Sequence, residues 1–388
     1  MSNIEPQERT APTAFYLADF ETTLRYSIVA GKSFLCFSKF GEAPEQVIVR
    51  AIKRVLHGSE VTFRCSVLED VTEESLQEVR TASPSSPSSS IAARRNDKDK
   101  VDGVALDIKI INNINELSRD GQTLLVKHMR LYPSVYRADG SLNETGLSNT
   151  TTHIFIGIVD WVAPSDEDTI SNSGTNNKVI TQCLNIDPWL RNKLWCSCRM
   201  PDFDMESPKS LQMSSESSIS DEGEEVGRQG GAREAESDNF KGLNIDKIRK
   251  SLAGVHLESS LRRYVLDIMV HLRMHRLIYH GKGGGVGTDA LADVLLLAKF
   301  ISLDLGNPYV TPREIKKACR WYFPMHLILI SKPSQDTTLL YGSKLSLVQD
   351  FVNSIVRVAE IKSGDMETPL FLESLVTDNV LSKVIPPM

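Results

Sequence analysis

The chain has 388 residues, 41% of them hydrophobic and 24% charged, with a formal net charge of −6. That apolar fraction suffices for a real core and excludes a wholly disordered acidic chain, while the mild acidity excludes a polycation coating nucleic acid and leaves room only for a local basic patch. No run of about 18 uncharged apolar residues occurs, so no membrane-spanning helix is expected.

The first twenty residues lack the basic start and apolar stretch of a secretory leader, which points to an intracellular protein, cytoplasmic or nuclear. Six cysteines are scattered through mostly apolar runs. Cys196 and Cys198 are the one close pair; on a strand they face the same way, but no second pair or nearby histidine completes a zinc site, and core thiols are expected.

Five runs with strand character follow in order: SFLCFS from Ser33 to Ser38, EVTFRCSVL from Glu60 to Leu68, VALDIKII from Val104 to Ile111, HIFIGIVDW from His153 to Trp161, and KLWCSCR from Lys193 to Arg199. Several are apolar almost throughout, as in a parallel sheet covered on both faces. Helical patterns lie between some of them. Pro44 opens one, with Val47, Ile48, Ala51, Ile52 and Val55 as its apolar stripe. Ser118 caps another, on which Leu124, Leu125 and Met129 share a face with Gln122 nearby. Strand alternating with helix predicts a doubly wound α/β sheet.

Polar stretches interrupt this unit near 81–100, 137–152 and 165–177, and the largest, acidic and rich in Ser, covers 206–240. Beyond it the pattern is helical. Leu261 to Tyr279 is strongly periodic, with Tyr264, Ile268, Leu272 and His275 on one stripe beside Val265 and Met269, and the glycines from Gly281 to Gly287 are expected to end it. Thr288 is expected to cap a helix running to Asp304, and Thr311, with Pro312 and Glu314, to open a third that Pro324 ends. The expected organisation is an α/β core over 1–205, the acidic linker over 206–240, a helical lid over 241–330, and a C-terminal segment over 331–388 packing on the core.

Five strands followed by a small helical bundle resembles the AAA+ ATPases, and the lid resembles the MoxR and magnesium-chelatase branch through YVLDIMVHLRMH, GGVGTDALADVLLLAKFISLDLG and YVTPREIKKA. The chain as a whole resembles the fungal maintenance of telomere capping protein 2 family through GKSFLCF, HIFIGIVDW, SSLRRYVLDIMVHLRMHRLIYH, KKACRWYFPMHL, TTLLYGS and TPLFLESLVTDNVLSKVIPP. The first resemblance implies a nucleotide site, whose parts can be checked singly. A phosphate-binding loop needs GxxxxGK[ST] after the first strand. Here SKFGEAPEQ from Ser38 to Gln46 keeps Gly41 but has neither the lysine nor the hydroxyl, and Glu42 and Glu45 would repel a triphosphate. Gly31-Lys32-Ser33 copies the end of the motif, but it precedes the strand.

The third strand's Asp-Glu pair is replaced by Asn112 and Asn113, neutral amides that cannot act as a base. The fourth strand's polar sensor falls near Asp160, Lys193 stands roughly in the arginine finger's place, and Asp289 takes the place of a phosphate-sensing arginine. These departures imply a protein without catalytic residues, cofactor or metal: a non-catalytic AAA+-like scaffold that binds other proteins, with a role in telomere capping implied by the family name. Two alternatives stand beside it, an ATPase completed by a partner and a DNA-binding protein using a basic lid face.

That face carries Arg262, Arg263, Arg273, Arg276 and Lys282, with Lys316, Lys317 and Arg320 on the third lid helix; an ordinary solvated face with local ion pairs is the preferred reading of it. His271, His275 and His280 have part of a metal spacing, yet Leu272 stands where a zincin helix carries its glutamate. The aromatic CRWYFPMHL is expected to dock the lid on the core.

Overall fold

The computed structural model describes residues 17–39, 44–57, 59, 61–68, 71–72, 76, 105–132, 135–136, 151–161, 184–200, 244–279, 281, 286–330, 332–361 and 369–387. The first strand, β1 (Ala18–Asp19), leads into α1 (Phe20–Ala30), an element that the strand runs alone did not predict. Its ends are nonetheless written locally. The Asp19 carboxylate accepts from Thr22 N at 3.1 Å, and Gly31 closes the helix at φ 63°, where a side chain would be strained.

β2 (Ser33–Lys39), β3 (Thr62–Leu68), β4 (Ala105–Ile111), β5 (Thr152–Trp161) and β6 (Leu194–Arg199) match the five predicted runs to within two residues at each end. All pair in parallel, in the order β1-β6-β2-β5-β4-β3. Parallel strands need crossover connections, and among the described residues these contain α1, α2 (Pro44–Leu56), α3 (Arg119–Met129) and the short α4 (Pro188–Arg191). The period of two then feeds two cores. On β2, Phe34 and Cys36 enter the core shared with α1, α2 and the lid, whereas Leu35 and Phe37 enter the one beneath α3 and α4. The fold is thus a parallel α/β sheet followed by helices, as the alternation of strand and helix patterns and the helical character of the later chain predicted.

The lid comprises α5 (Ile245–Gly254), α6 (Ser259–Arg273), α7 (Ala290–Asp304) and α8 (Pro312–His326). Several local expectations need correction. α6 stops at Arg273 instead of Tyr279, because Ile278 turns to bridge Leu329. Thr288 does not cap α7, which starts after Asp289 without a side-chain cap. Pro324 lies inside α8, whose last turn continues to His326. On α3, Val126 is buried and Leu124 is not fully buried. The capping box of Thr311 and Glu314 is present, with Thr311 N donating to Glu314 Oε2 at 2.8 Å.

Two helices follow the lid, α9 (Leu345–Ile361) and α10 (Phe371–Lys383); α10 packs on α6 and α8, so the lid is its main seat. The polar stretches 81–100, 137–150, 165–177 and 206–240 lie outside the described residues, whereas Thr152 opens β5. Among the described residues no helix is long and apolar enough to cross a membrane.

Candidate functional site

In an open parallel sheet the natural binding place is the carboxyl edge where successive crossovers leave in opposite directions. Here that point lies between β2, whose crossover runs toward β3 at the far edge, and β5, whose crossover runs back to β6. Ser38 at the end of β2 is in register with Asp160 at the end of β5, and Asn112 and Asn113 follow directly on β4. The turn after β4 is hooked onto the sheet by Ile114 N donating to Ile158 O at 3.0 Å. Gly157 makes this approach feasible, since a Cβ there would lie 2.8 Å from Ile114 Cδ1.

The turn is also tight in itself. Asn113 adopts φ 45°, Glu116 N donates to its carbonyl at 2.8 Å, and its own amide donates to Glu116 Oε2 at 3.4 Å. Asn112 Oδ1, Asn115 Oδ1 and Asp160 Oδ1 are shielded from solvent with no hydrogen-bond partner.

Burial raises the Asp160 carboxyl above its ordinary range, the charges of Glu116 and Glu45 raise it further, and only the hydrogen bond from Ser38 opposes them. Gly41 and Glu42 of the expected loop lie outside the described residues.

The structure separates the remaining predicted positions from this cleft. Lys32 stands at the amino end of β2, about 20 Å along the strand from its other end at the usual rise per residue. It bonds Asp293 of α7 at 2.9 Å, which gives the Gly-Lys-Ser triplet a structural role unrelated to phosphate. Asp289 sits one turn before Asp293, and Lys193 just precedes β6, so both lie near the sheet's amino edge. His271 Nδ1 turns to the Asp267 carbonyl of its own helix at 2.8 Å, while His275 faces Asn379 of α10, so the two do not converge. Cys196 and Cys198 are both buried, and burial pushes both thiols upward. His280, Lys282 and Cys183 lie outside the described residues.

Two arrangements escaped the sequence reading. On the α3 face of the sheet, Asp107 and Lys109 of β4 meet His153 of β5, His128 of α3 and Tyr132 just beyond it. His153 Nδ1 is 2.9 Å from Asp107 Oδ2, Lys109 Nζ is 3.8 Å from the same oxygen and 3.1 Å from His128 Nε2, and the Tyr132 and His153 rings lie 3.7 Å apart. Alternating Asp and Lys inside VALDIKII was the available signal, since one face of that strand is apolar and the other is charged. The second is Arg191 of α4, fully within the interior, which donates to the carbonyls of Ile186, Leu184, Met325 and Leu327 and thereby ties α4 to the end of α8.

A family model described as Maintenance of telomere capping protein 2, N-terminal domain, matches residues 18–199, the whole strand region. A Saccharomyces cerevisiae S288c protein named Maintenance of telomere capping protein 2 is 34% identical over 392 residues, covering 96% of this chain and 99% of that protein. The Vanderwaltozyma polyspora protein of the same name is 31% identical, covering 95% and 98%. Among solved structures, a full-length MCM homolog from Methanopyrus kandleri aligns with a TM-score of 0.39 at 10% identity, covering 82% of this chain and 57% of that one.

Proposed function

The chain belongs to the maintenance of telomere capping protein 2 family, and from that premise we propose that it is a non-catalytic AAA+-like scaffold that binds other proteins in a telomere-related pathway inside the cell. The name shared by its relatives supports the telomere link. The observation that supports the non-catalytic part is at the cleft between β2 and β5, where burial and the charges of Glu116 and Glu45 raise the Asp160 carboxyl. Asn112 and Asn113 stand where a magnesium ligand and a general base would be required, and an amide supplies neither a full negative charge nor a proton-accepting lone pair near neutral pH.

Hydrolysis of a nucleoside triphosphate rests almost wholly on positioning and on stabilising negative charge that spreads in the transition state. Titrating the full chain with magnesium-ATP in a calorimeter, together with a phosphate-release assay, tests the reading. No heat and no release above the protein-free blank are expected; micromolar binding with sustained turnover would overturn it.

A further inference from the structure

On α6 the side facing the interior is complete, with Leu261, Tyr264, Val265, Ile268, Met269 and Leu272 all buried. The opposite side carries a second apolar line. Leu266, Val270 and Met274 follow at intervals of four and are 41%, 46% and 79% exposed. At 3.6 residues per turn such an interval keeps three side chains on one ridge, about 12 Å long. Isolated exposed apolar residues are ordinary, but a continuous ridge on a well-formed helix is the shape of a contact surface.

The charge around this ridge is of one dominant sign. By helical geometry Arg262 and Arg273 border one flank, Arg263 falls within the line of the ridge, and Asp267 alone stands on the other flank. Arg273 spends its donors on the neutral carbonyls of Val286 and Gly287, so its charge is not cancelled. Arg262 also lies close enough to Lys299 of the neighbouring α7 to act on it: burial lowers that ammonium below the usual lysine range, and the charge of Arg262 lowers it further. By contrast, Arg276 is paired with Asp336 and stacked on Phe351, and Arg320 is paired with Asp378, so neither adds to the surface.

We propose that the Leu266–Val270–Met274 ridge of α6 is a docking surface for an acidic amphipathic helix of a partner protein, whose apolar side chains cover the ridge while its carboxylates meet Arg262, Arg263 and Arg273. Charge complementarity selects that occupant. A nucleic acid would engage the arginines but leave the ridge wet, whereas an acidic helix with apolar residues at intervals of three and four satisfies both. The inference deepens the partner-binding role proposed above and rests on it, but it uses no part of the cleft.

The test uses the full chain and a fluorescein-labelled synthetic peptide of about 18 residues with leucines at helical spacing and glutamates between them. A scrambled peptide of the same composition and a short DNA duplex serve as comparisons. The ordered peptide is expected to bind more tightly than the scramble, with salt weakening it, and Val270→Glu to weaken binding at least about tenfold. Arg262→Glu together with Arg263→Glu is expected to weaken binding and flatten its salt dependence. Because all three sites are exposed, an unchanged circular dichroism spectrum and melting profile should accompany each variant.

Equal binding of the scramble, or binding indifferent to both Val270→Glu and Leu266→Asn, overturns the proposal. So does preferential binding of the duplex, or peptide binding that emerges only on deletion of residues 206–239, which would make the chain's own acidic segment the occupant. Phosphate release is measured on the same preparations. Turnover there would remove the non-catalytic reading while leaving the ridge result to stand, and failure of the ridge would leave a silent cleft untouched.

Discussion

Lys109 Nζ lies 3.1 Å from His128 Nε2 with no solvent-exposed surface of its own, in the layer between the sheet and α3. An ammonium in that position is stabilised by Asp107 Oδ2 at 3.8 Å and by the rings of Tyr132 and Phe155, whose centroids lie 5.6 and 5.3 Å away. The carboxylate shares the arrangement. Burial would raise Asp107, but the hydrogen bond with His153 and the charge of Lys109 outweigh it and hold the group below its ordinary range.

Removing one member of such a pair leaves an uncompensated buried charge, so Lys109→Met is expected to cost about 3–5 kcal/mol. Adding Asp107→Leu should recover part of the loss. Urea unfolding of the single and double variants measures both. The pH dependence follows from Asp107 being held low: its contribution is present above the unfolded value of 3.8 and is lost as pH falls through the lower folded value. The wild-type midpoint should therefore fall more steeply in that acid range than that of Asp107→Asn. A Lys109→Met chain as stable as the wild type would show that the pair does not hold the sheet to α3.

His326 offers a second pH-dependent group. It is buried, stacks on Tyr322 at 4.1 Å, and its Nε2–H donates to Trp195 O at 3.3 Å. Burial, aided by the charge of Arg191 and opposed by that carbonyl, lowers its pKa from 6.5 to about 4. As pH falls below 6.5 the unfolded chain takes up this proton first, so stability should drop by about 3 kcal/mol before the folded value is reached. Thermal melts from pH 7 to pH 4 read the slope, and His326→Phe should flatten it; an unchanged slope would reassign the acid sensitivity to other groups.

Arg191 joins the sheet's crossover helix to the last turn of α8 through four carbonyls. Each charge-assisted bond is worth more than a neutral one, and the carbonyls would be left buried without a donor, so Arg191→Met should destabilise by at least about 3 kcal/mol. Arg191→Lys is not expected to rescue it, since one ammonium cannot reproduce the planar fork of donors. Limited proteolysis gives an independent reading, with cleavage appearing between α8 and α10 in the variants before global unfolding. Identical cleavage patterns in wild type and Arg191→Met would exclude a clasp.

At the cleft, Asp160 is raised by burial and by like charge, so its ionised form works against the fold. Asp160→Asn should leave stability at neutral pH unchanged or improved, and the advantage should vanish as pH falls and the wild-type carboxyl takes up its proton. A loss of stability at pH 7 would mean that the carboxylate has a cationic partner, which would also undermine the case against a phosphate.

Local pattern alone carried the five main strands, the helix begun at Pro44, the Ser118 cap and the capping box at Thr311. Each is written within a few neighbouring residues, by runs of apolar side chains or by a side chain returning to its own backbone. The same locality explains the errors. Where α6 ends depends on Ile278 reaching Leu329, and Pro324 is accommodated in α8 by its place in the packed lid, neither of which is visible in a short window.

Only the tertiary structure decided which charges meet. Lys32 and Asp293 are 261 residues apart, and Asp107, His128 and His153 come from three separate elements brought together by strand order. Sequence shows that such groups exist but not their distances, and a Coulomb interaction depends on distance and burial rather than on residue type. The departure of SKFGEAPEQ from the GxxxxGK[ST] pattern was therefore legible from residue identity, while the effect of Glu116 and Glu45 on Asp160, and of Arg262 on Lys299, required the assembled fold.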